Sequence, residues 1–140
     1  MKILFASDGS AAAGKALAAL IARIEWFRGV PQITLVNVHP RIPYGAARWV
    51  SKETVDDFYA EQFGVALDSA RRELERAGIA CTVETRVGDA AEELVAVARE
   101  GSFDCIAMGT HGHTALGNLV LGSVAQRVLA TARIPILLLK

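Results

Sequence analysis

The chain has 140 residues, of which 52% are hydrophobic and only 6% aromatic, so we expect one domain, residues 1–140, with an aliphatic core. Its 15 basic residues balance its 15 acidic ones, which leaves no net positive charge to attract nucleic acid or an anionic membrane. The apolar start is interrupted at Asp8 and no run reaches the ~18 apolar residues of a membrane span. We therefore expect a cytoplasmic protein in which Cys81 and Cys105 are reduced.

Five apolar runs alternate with helical patterns along the chain. The predicted strands are residues 2–7, 32–39, 81–88, 104–110 and 134–140. The predicted helices run through residues 17–24, 55–74, 89–101 and 123–132. Asp89 and Glu92 resemble a capping box, and Gly78 suits the position just after a helix. This alternation predicts βαβ units, and so an α/β fold with a parallel sheet covered by helices on both faces.

The one long irregular stretch is PRIPYGAARWV, residues 40–50. Two prolines and a glycine interrupt it, and it follows the second strand at its carboxyl end, where open α/β sheets bind ligands. A plain surface loop and a lid over a ligand are both compatible with this stretch.

The first candidate for a phosphate-binding loop is SDGSAAAGKA, residues 7–16, in which Gly9, Gly14 and Lys15 reproduce most of a P-loop. A P-loop needs a hydroxyl after the lysine to bind Mg²⁺, and Ala16 occupies that position. We therefore predict that residues 8–10 form a turn and helix cap, and that Gly14 and Lys15 are ordinary helix residues.

The second candidate follows the fourth strand and contains four of the chain's 12 glycines, at positions 109, 112, 117 and 122. Glycine lets the backbone approach an anion closely. Gly122 and Ser123 then open a helix whose first N–H groups have no partner within the helix and whose dipole favours negative charge. A glycine loop leading into a capped helix predicts a cradle for a polyphosphate.

The spacing Gly109-x2-Gly112-x9-Gly122-Ser123 resembles the nucleotide motif G-x2-G-x9-G-[ST] of the universal stress protein family. The likeness covers the whole chain, including ILFASDGS near the start, VNVH in the second strand and IPILLL near residue 140. The resemblance implies a Rossmann-like five-stranded parallel sheet in the order 3-2-1-4-5. In the branch with this motif it also implies ATP binding, with Mg or Mn held through the phosphates. That order places Asp8 and Gly109 at one crevice.

The resemblance also implies the residues that contact the nucleotide. They are Ala6, Ser7, Asp8, Val38, Met108, Gly109, His111, Gly112, His113, Gly122, Ser123, Val124 and Ala125. In this scheme Asp8 lies near the ribose or a metal, Val38 holds the adenine through its backbone, and Met108 and Gly109 contact the ribose. The phosphates are held by Gly112, His113, Gly122, Ser123, Val124 and Ala125. His113 stands where an arginine or lysine is expected, and its charge depends on pH.

These observations favour a cytoplasmic stress-response protein that binds ATP and acts as a nucleotide-dependent sensor or regulator. Two alternatives stay open: a weak ATPase or nucleotide-handling enzyme on the same fold, and a dimerisation module whose pocket is empty. Asp8 has no evident acid–base partner, so we assign no catalytic residue and expect slow hydrolysis at most. His111 and His113 do not suffice for structural zinc, which needs four ligands. The resemblance further implies a homodimer formed through the strand at residues 134–140.

Overall fold

One parallel sheet forms the centre of the protein, seen in a computed structural model that describes residues 1–111 and 121–140. Its strands are β1 (Lys2–Ala6), β2 (Gln32–His39), β3 (Cys81–Val87), β4 (Cys105–Gly109) and β5 (Ile136–Leu139). Their order across the sheet is β3-β2-β1-β4-β5, and all four neighbouring pairs are parallel. The expected fold class and strand order are confirmed.

Helices cover both faces of this sheet. They are α1 (Ala11–Ile21), α2 (Tyr44–Ala47), α3 (Lys52–Arg76), α4 (Ala90–Glu100) and α5 (Ser123–Thr131), with a 3-10 turn at Ile24–Trp26. Helices α1 and α3 share one apolar core with the sheet, and α4 and α5 share the other. Within the described residues, no helix is both long enough and apolar enough to cross a bilayer.

Strand β1 shows how the sequence fills both cores. The side chains of Ile3 and Phe5 lie in the core with α1 and α3, and Leu4 lies in the core with α4 and α5. All three are fully buried. Because neighbouring side chains of a strand point to opposite faces, a strand with helices on both sides must be apolar throughout.

Several element boundaries differ from the sequence prediction, most of them by one to three residues. Helix α1 ends at Ile21, and Ile24 falls in the separate 3-10 turn. The stretch 40–50 is not wholly irregular, because it contains the short helix α2. Strand β5 begins at Ile136 and not at residue 134, since Pro135 has no N–H to donate and contributes only its carbonyl, which accepts from the Ile106 N–H.

The ends of α3 and α4 show two related stop signals. Gly78 follows α3 with a φ of +70°, and the N–H groups of Gly78 and Ile79 donate back to the carbonyls of Glu75 and Leu74. The prediction for Gly78 is confirmed. After α4 the left-handed residue is Ser102, with a φ of 51°, one position beyond the predicted glycine.

Candidate functional site

β1 and β4 are neighbouring strands, and the connections that leave their carboxyl ends turn to opposite faces of the sheet. The helix that follows β1 packs on one face of the sheet and the helix that follows β4 packs on the other. Ala6 at the end of β1 is paired with Met108, one residue before β4 ends. Open α/β sheets bind ligands in the crevice at such a switch point.

Buried polar residues gather at this edge of the sheet. Among the described residues, the polar side chains that are buried belong to Ser7, Asn37 and Thr110. Ser7 and Thr110 directly follow β1 and β4, and Asn37 lies two residues before the end of β2. The Asn37 Nδ2 donates to the Ser7 carbonyl at 2.6 Å, and the Ser7 N–H donates to the Val36 carbonyl at 2.9 Å. These bonds hold the start of the first loop against β2.

The first loop is a turn and cap packed on α3. Gly9 has a φ of +77°, and a Cβ there would lie 2.8 Å from the Ala66 Cα. The Ser10 hydroxyl caps α1 by accepting from the Ala13 N–H, and an Asp8 carboxylate oxygen accepts from the Ser10 N–H at 2.9 Å. The predicted turn and cap are confirmed, with Ser10 as the capping residue, and Gly14 and Lys15 lie within α1.

Thr110 joins β4, β5 and the start of α5. Its N–H donates to the Leu139 carbonyl at 3.1 Å, and its own carbonyl accepts from the Gly122 N–H at 2.7 Å. Its hydroxyl lies 2.8 Å from the Nδ1 of His111 in a hydrogen bond. These contacts hold the first turn of α5 at the carboxyl end of β4.

The start of α5 differs from the capped helix that the sequence predicted. Gly122 is the N-cap residue, Ser123 is the first helical residue, and no side chain of the described residues caps this end. The Gly122 N–H is engaged by Thr110, whereas the N–H groups of residues 123–125 have no partner within the helix. Three N–H donors and the positive end of the helix dipole therefore lie beside the crevice, an arrangement that suits an anion.

Most of the predicted site residues converge on this crevice. The structure brings to the adjoining ends of β1, β4 and α5 the residues Ala6, Ser7, Asp8, Met108, Gly109, His111, Gly122, Ser123, Val124 and Ala125. Val38 lies farther along β2, one residue before its end. Gly112 and His113 lie outside the described residues. The side chains of Met108 and Ala125 are buried in the core, so they would offer a ligand their backbone atoms.

Cys81 and Cys105 are the first residues of β3 and β4, so they lie at the opposite end of the strands from the crevice. Both are free thiols, and burial is the main cause that raises the pKa of each. A raised pKa keeps a thiol protonated and unreactive at neutral pH. The reduced state of both thiols stays a prediction.

Asn37 and Thr110 are the site residues that sequence reasoning missed. Each is a polar residue that interrupts or directly follows an apolar strand, in VNVH and IAMGT. A buried polar side chain must find a hydrogen-bond partner, so a polar residue within such a run is a usable signal.

The family model of the universal stress protein family matches residues 1–140, the same span as the likeness in the sequence. The chain belongs to the universal stress protein family. Among curated members, it is 34% identical to the universal stress protein MJ0531 of Methanocaldococcus jannaschii, over 99% of this chain and 81% of that protein. It is 32% identical to the universal stress protein Slr1230 of Synechocystis, over 97% of this chain but only 41% of the longer relative.

Solved structures of universal stress proteins share the fold. The hypothetical protein MJ0577 of M. jannaschii superposes with a TM-score of 0.82 at 28% identity, over 99% of this chain and 94% of that one. A family protein of Arabidopsis thaliana, At3g01520, solved with AMP bound, gives 0.71 at 16% identity, over 100% and 91% of the two chains. A protein of Archaeoglobus fulgidus in complex with dAMP gives 0.64 at 24%, over 100% and 98%. The last two similarities show the fold alone.

Proposed function

We propose that this universal stress protein binds an adenine nucleotide, and specifically ATP, in the crevice between the carboxyl ends of β1 and β4. The observation that carries the proposal is the start of α5, where the N–H groups of residues 123–125 are available to an anion beside Thr110. The AMP and dAMP bound by two proteins of the same fold support an adenine nucleotide as the ligand class.

In this proposal each part of the crevice has one task. The backbone N–H groups of residues 123–125, together with Gly112 and His113, hold the phosphates. Asp8 lies near the ribose or near a Mg²⁺ or Mn²⁺ carried by the phosphates. The backbone of Val38 recognises the adenine, and Met108 and Gly109 contact the ribose through their main chain.

The role that fits such a site is that of a nucleotide-dependent sensor or regulator in the cytoplasm, acting as a homodimer. Membership of the universal stress protein family supports the role in stress. We assign no crevice residue the task of activating a water molecule for hydrolysis. The enzyme hypothesis therefore predicts turnover that the sensor hypothesis does not.

The bound ligand of the purified protein tests the function directly. We expect denaturation to release an adenine nucleotide, identified by mass spectrometry, with no phosphate release above background during incubation with Mg-ATP. Phosphate release at a steady rate would favour the enzyme. A protein that carries no nucleotide and binds none on titration would contradict the proposal.

Gly122→Val tests the location of the site. Gly122 has φ −68° and ψ 152°, which any residue adopts, so valine should leave the fold intact while its side chain fills space beside the phosphates. We expect loss of binding of a fluorescent ATP analogue. Lys15→Ala is the control, because Lys15 is an exposed residue of α1 and its removal should change the affinity by less than about twofold. The opposite pattern would restore the P-loop hypothesis.

A further inference from the structure

Helix α3 extends beyond the carboxyl end of β1, where the crevice lies. The first loop marks that end on α3, because the Ser7 hydroxyl donates to the Ala66 carbonyl at 3.4 Å and Gly9 packs on the same residue. The residues of α3 that are buried begin at Ala66 and continue toward its carboxyl end. The part before Ala66 is more than half of this 25-residue helix, about 20 Å long at 1.5 Å per residue, and it runs past the end of β1 along the last residues of β2.

Residues 40–51, here called the arm, connect the end of β2 to this half of α3. The base of the arm is anchored. The ring of His39 packs edge-on against Phe58 and Tyr59, with centroids 5.5 and 5.4 Å apart, and the Ile42 N–H donates to the Tyr59 hydroxyl at 2.9 Å. Beyond this anchor the arm carries two aromatic side chains that are almost fully exposed.

Those exposed side chains are Tyr44 and Trp49, with 84% and 77% of their surface accessible. The Arg48 guanidinium carbon lies 4.6 Å from the centroid of the Trp49 ring. This is a cation held against an aromatic plane, on a segment that starts two residues after Val38. A nucleotide presents the complementary pair of groups, an aromatic base and anionic phosphates.

The phosphate cradle itself lacks strong cations. The sequence contains no lysine or arginine from Cys105 to Gln126. The next residue, Arg127, is engaged at 2.6 Å by Asp89 and at 3.5 Å by Glu92. Asp8 adds a negative charge on the other side of the crevice. Neutral backbone donors can hold a monophosphate, but the two further phosphates of ATP bring charge that these residues do not balance.

The arm is the richest source of positive charge at this edge. Residues 40–52 contain Arg41, Arg48 and Lys52 and no acidic residue, although the whole chain has no net charge. Lys15 and Lys140 also lie near the carboxyl ends of the strands, so charge alone does not single out the arm. Among the described residues, however, the cations stacked on an aromatic ring are Arg23 and Arg48, and Arg23 follows α1.

We propose that the arm closes over the bound nucleotide, with Trp49 against the adenosine and Arg48 neutralising the terminal phosphates. This inference rests on the nucleotide binding proposed above and assigns to the arm the selection of a triphosphate over a monophosphate. Removal of Arg48 should therefore weaken ATP binding and spare AMP binding.

Tryptophan fluorescence tests the closure, because the chain has two tryptophans. Trp26 lies in the 3-10 turn before β2, at the opposite edge of the sheet from the arm. In Trp26→Phe the emission comes from Trp49 alone, and we expect Mg-ATP to shift or quench it along the binding curve measured by calorimetry. In Trp49→Phe the emission comes from Trp26 alone and should not respond.

Arg48→Gln tests the charge, and Arg23→Gln is its matched control, since Arg23 lies 5.4 Å over the ring of Trp26. We expect the Kd for ATP to rise about three- to tenfold in Arg48→Gln at 0.1 M salt, and the Kd for AMP to change less than about twofold. Arg23→Gln should change neither. Lys140→Gln tests the other cation near this edge, and it should raise the Kd for ATP less than Arg48→Gln does.

Three results overturn the arm's role while nucleotide binding stands. They are ATP binding without a change in Trp49 emission, an Arg48→Gln protein with wild-type affinity for ATP, and equal losses for ATP and AMP in that variant. A wild-type protein that binds neither AMP nor ATP overturns the nucleotide site, and the arm's role with it.

Discussion

At Gly9 both the backbone conformation and the packing of the first loop on α3 disfavour a side chain. Its φ of +77° disfavours any side chain, and a Cβ would lie 2.8 Å from backbone of Ala66, which cannot turn aside as a flexible side chain could. We expect Gly9→Ala to lower the free energy of unfolding by about 1–3 kcal/mol, through backbone strain and displacement of α3. Urea denaturation measures this change.

Gly14→Ala is the matched control for that prediction. Gly14 lies inside α1, and a Cβ there would meet nothing within 4 Å. Alanine should therefore raise the free energy of unfolding by up to about 1 kcal/mol, because it is the better helix former. A Gly9→Ala protein as stable as Gly14→Ala would show that the first loop does not pack on α3 as described.

Asp8 is predicted to contact the ligand, and its local structural role can be kept while its charge is removed. Its carboxylate accepts from the Ser10 N–H, and an asparagine oxygen can accept the same bond. Asp8→Asn should therefore change the free energy of unfolding by less than about 1 kcal/mol. Its affinity for ATP, or the dependence of that affinity on Mg²⁺, should fall in calorimetric titrations. Unchanged binding with and without Mg²⁺ would contradict a role for Asp8 in nucleotide binding.

For single residues, the sequence predicts which of them lie at the crevice but not which hydrogen bonds and contacts connect them. Asp8 and Gly122 could be located because turn and helix-start residues have local signatures. The link from Gly122 to Thr110 could not, because it depends on the path of the chain between them and on the exact end of β4. The sequence predicts a turn at residues 8–10, but the close approach of Gly9 to Ala66 depends on residues distant in sequence and could not be predicted.

At the scale of elements, Asp89 joins α4 to α5. One carboxylate oxygen accepts from the N–H groups of Ala91 and Glu92 and so caps α4, and the other accepts from Arg127 of α5 at 2.6 Å. The bond from Arg127 is the main cause that lowers the pKa of Asp89, followed by the backbone bond from Glu92. Folding therefore favours the ionised form of Asp89.

This lowered pKa predicts a loss of stability in acid. A carboxylate whose pKa is lower in the folded protein stabilises it fully above its unfolded pKa, and the contribution disappears as the pH falls below about 4. Asp89→Asn keeps a capping oxygen but cannot titrate, so its free energy of unfolding should fall less between pH 6 and about pH 3 than that of the wild type. Arg127→Gln should remove most of the same difference. Parallel curves for all three proteins would show that the bond has no role in acid stability.

Long, periodic elements could be predicted and short ones could not. The strands are short apolar runs, and the four longer helices carry apolar stripes at helical spacing. Helix α2 has four residues and the 3-10 turn has three, too few for any period to be read. The anchoring of the arm by Tyr59 and His39 likewise depends on α3 running alongside the end of β2, a contact between residues that are distant in sequence.

For the whole molecule, alternation of strands and helices predicts a parallel sheet but not its order. Central strands such as β1 and β4 are apolar on both sides, so their patterns are nearly interchangeable. The order came from the likeness to the universal stress protein family, and the position of the crevice follows from it.

Strand β5 lies at one edge of this sheet, and its pairing with β4 leaves the other side open within the described residues. The carbonyls of Pro135 and Leu139 face β4, since they accept from the N–H groups of Ile106 and Thr110. Backbone groups of successive residues in a strand point to opposite sides. The N–H and carbonyl of Leu138 therefore point away from β4, toward the open edge.

An apolar open edge favours pairing with another strand, and we predict that two copies of β5 pair across a two-fold axis to form a homodimer. Leu138→Pro removes one outward N–H and leaves the bonds to β4 intact, so it should give a folded monomer. Leu137→Pro, one residue earlier, removes a group that faces β4 and should instead lower the stability of the fold. Analytical ultracentrifugation at micromolar concentration measures the assembly, and circular dichroism measures the fold. A monomeric wild-type protein would contradict the dimer, and a folded, dimeric Leu138→Pro protein would place the interface on another surface.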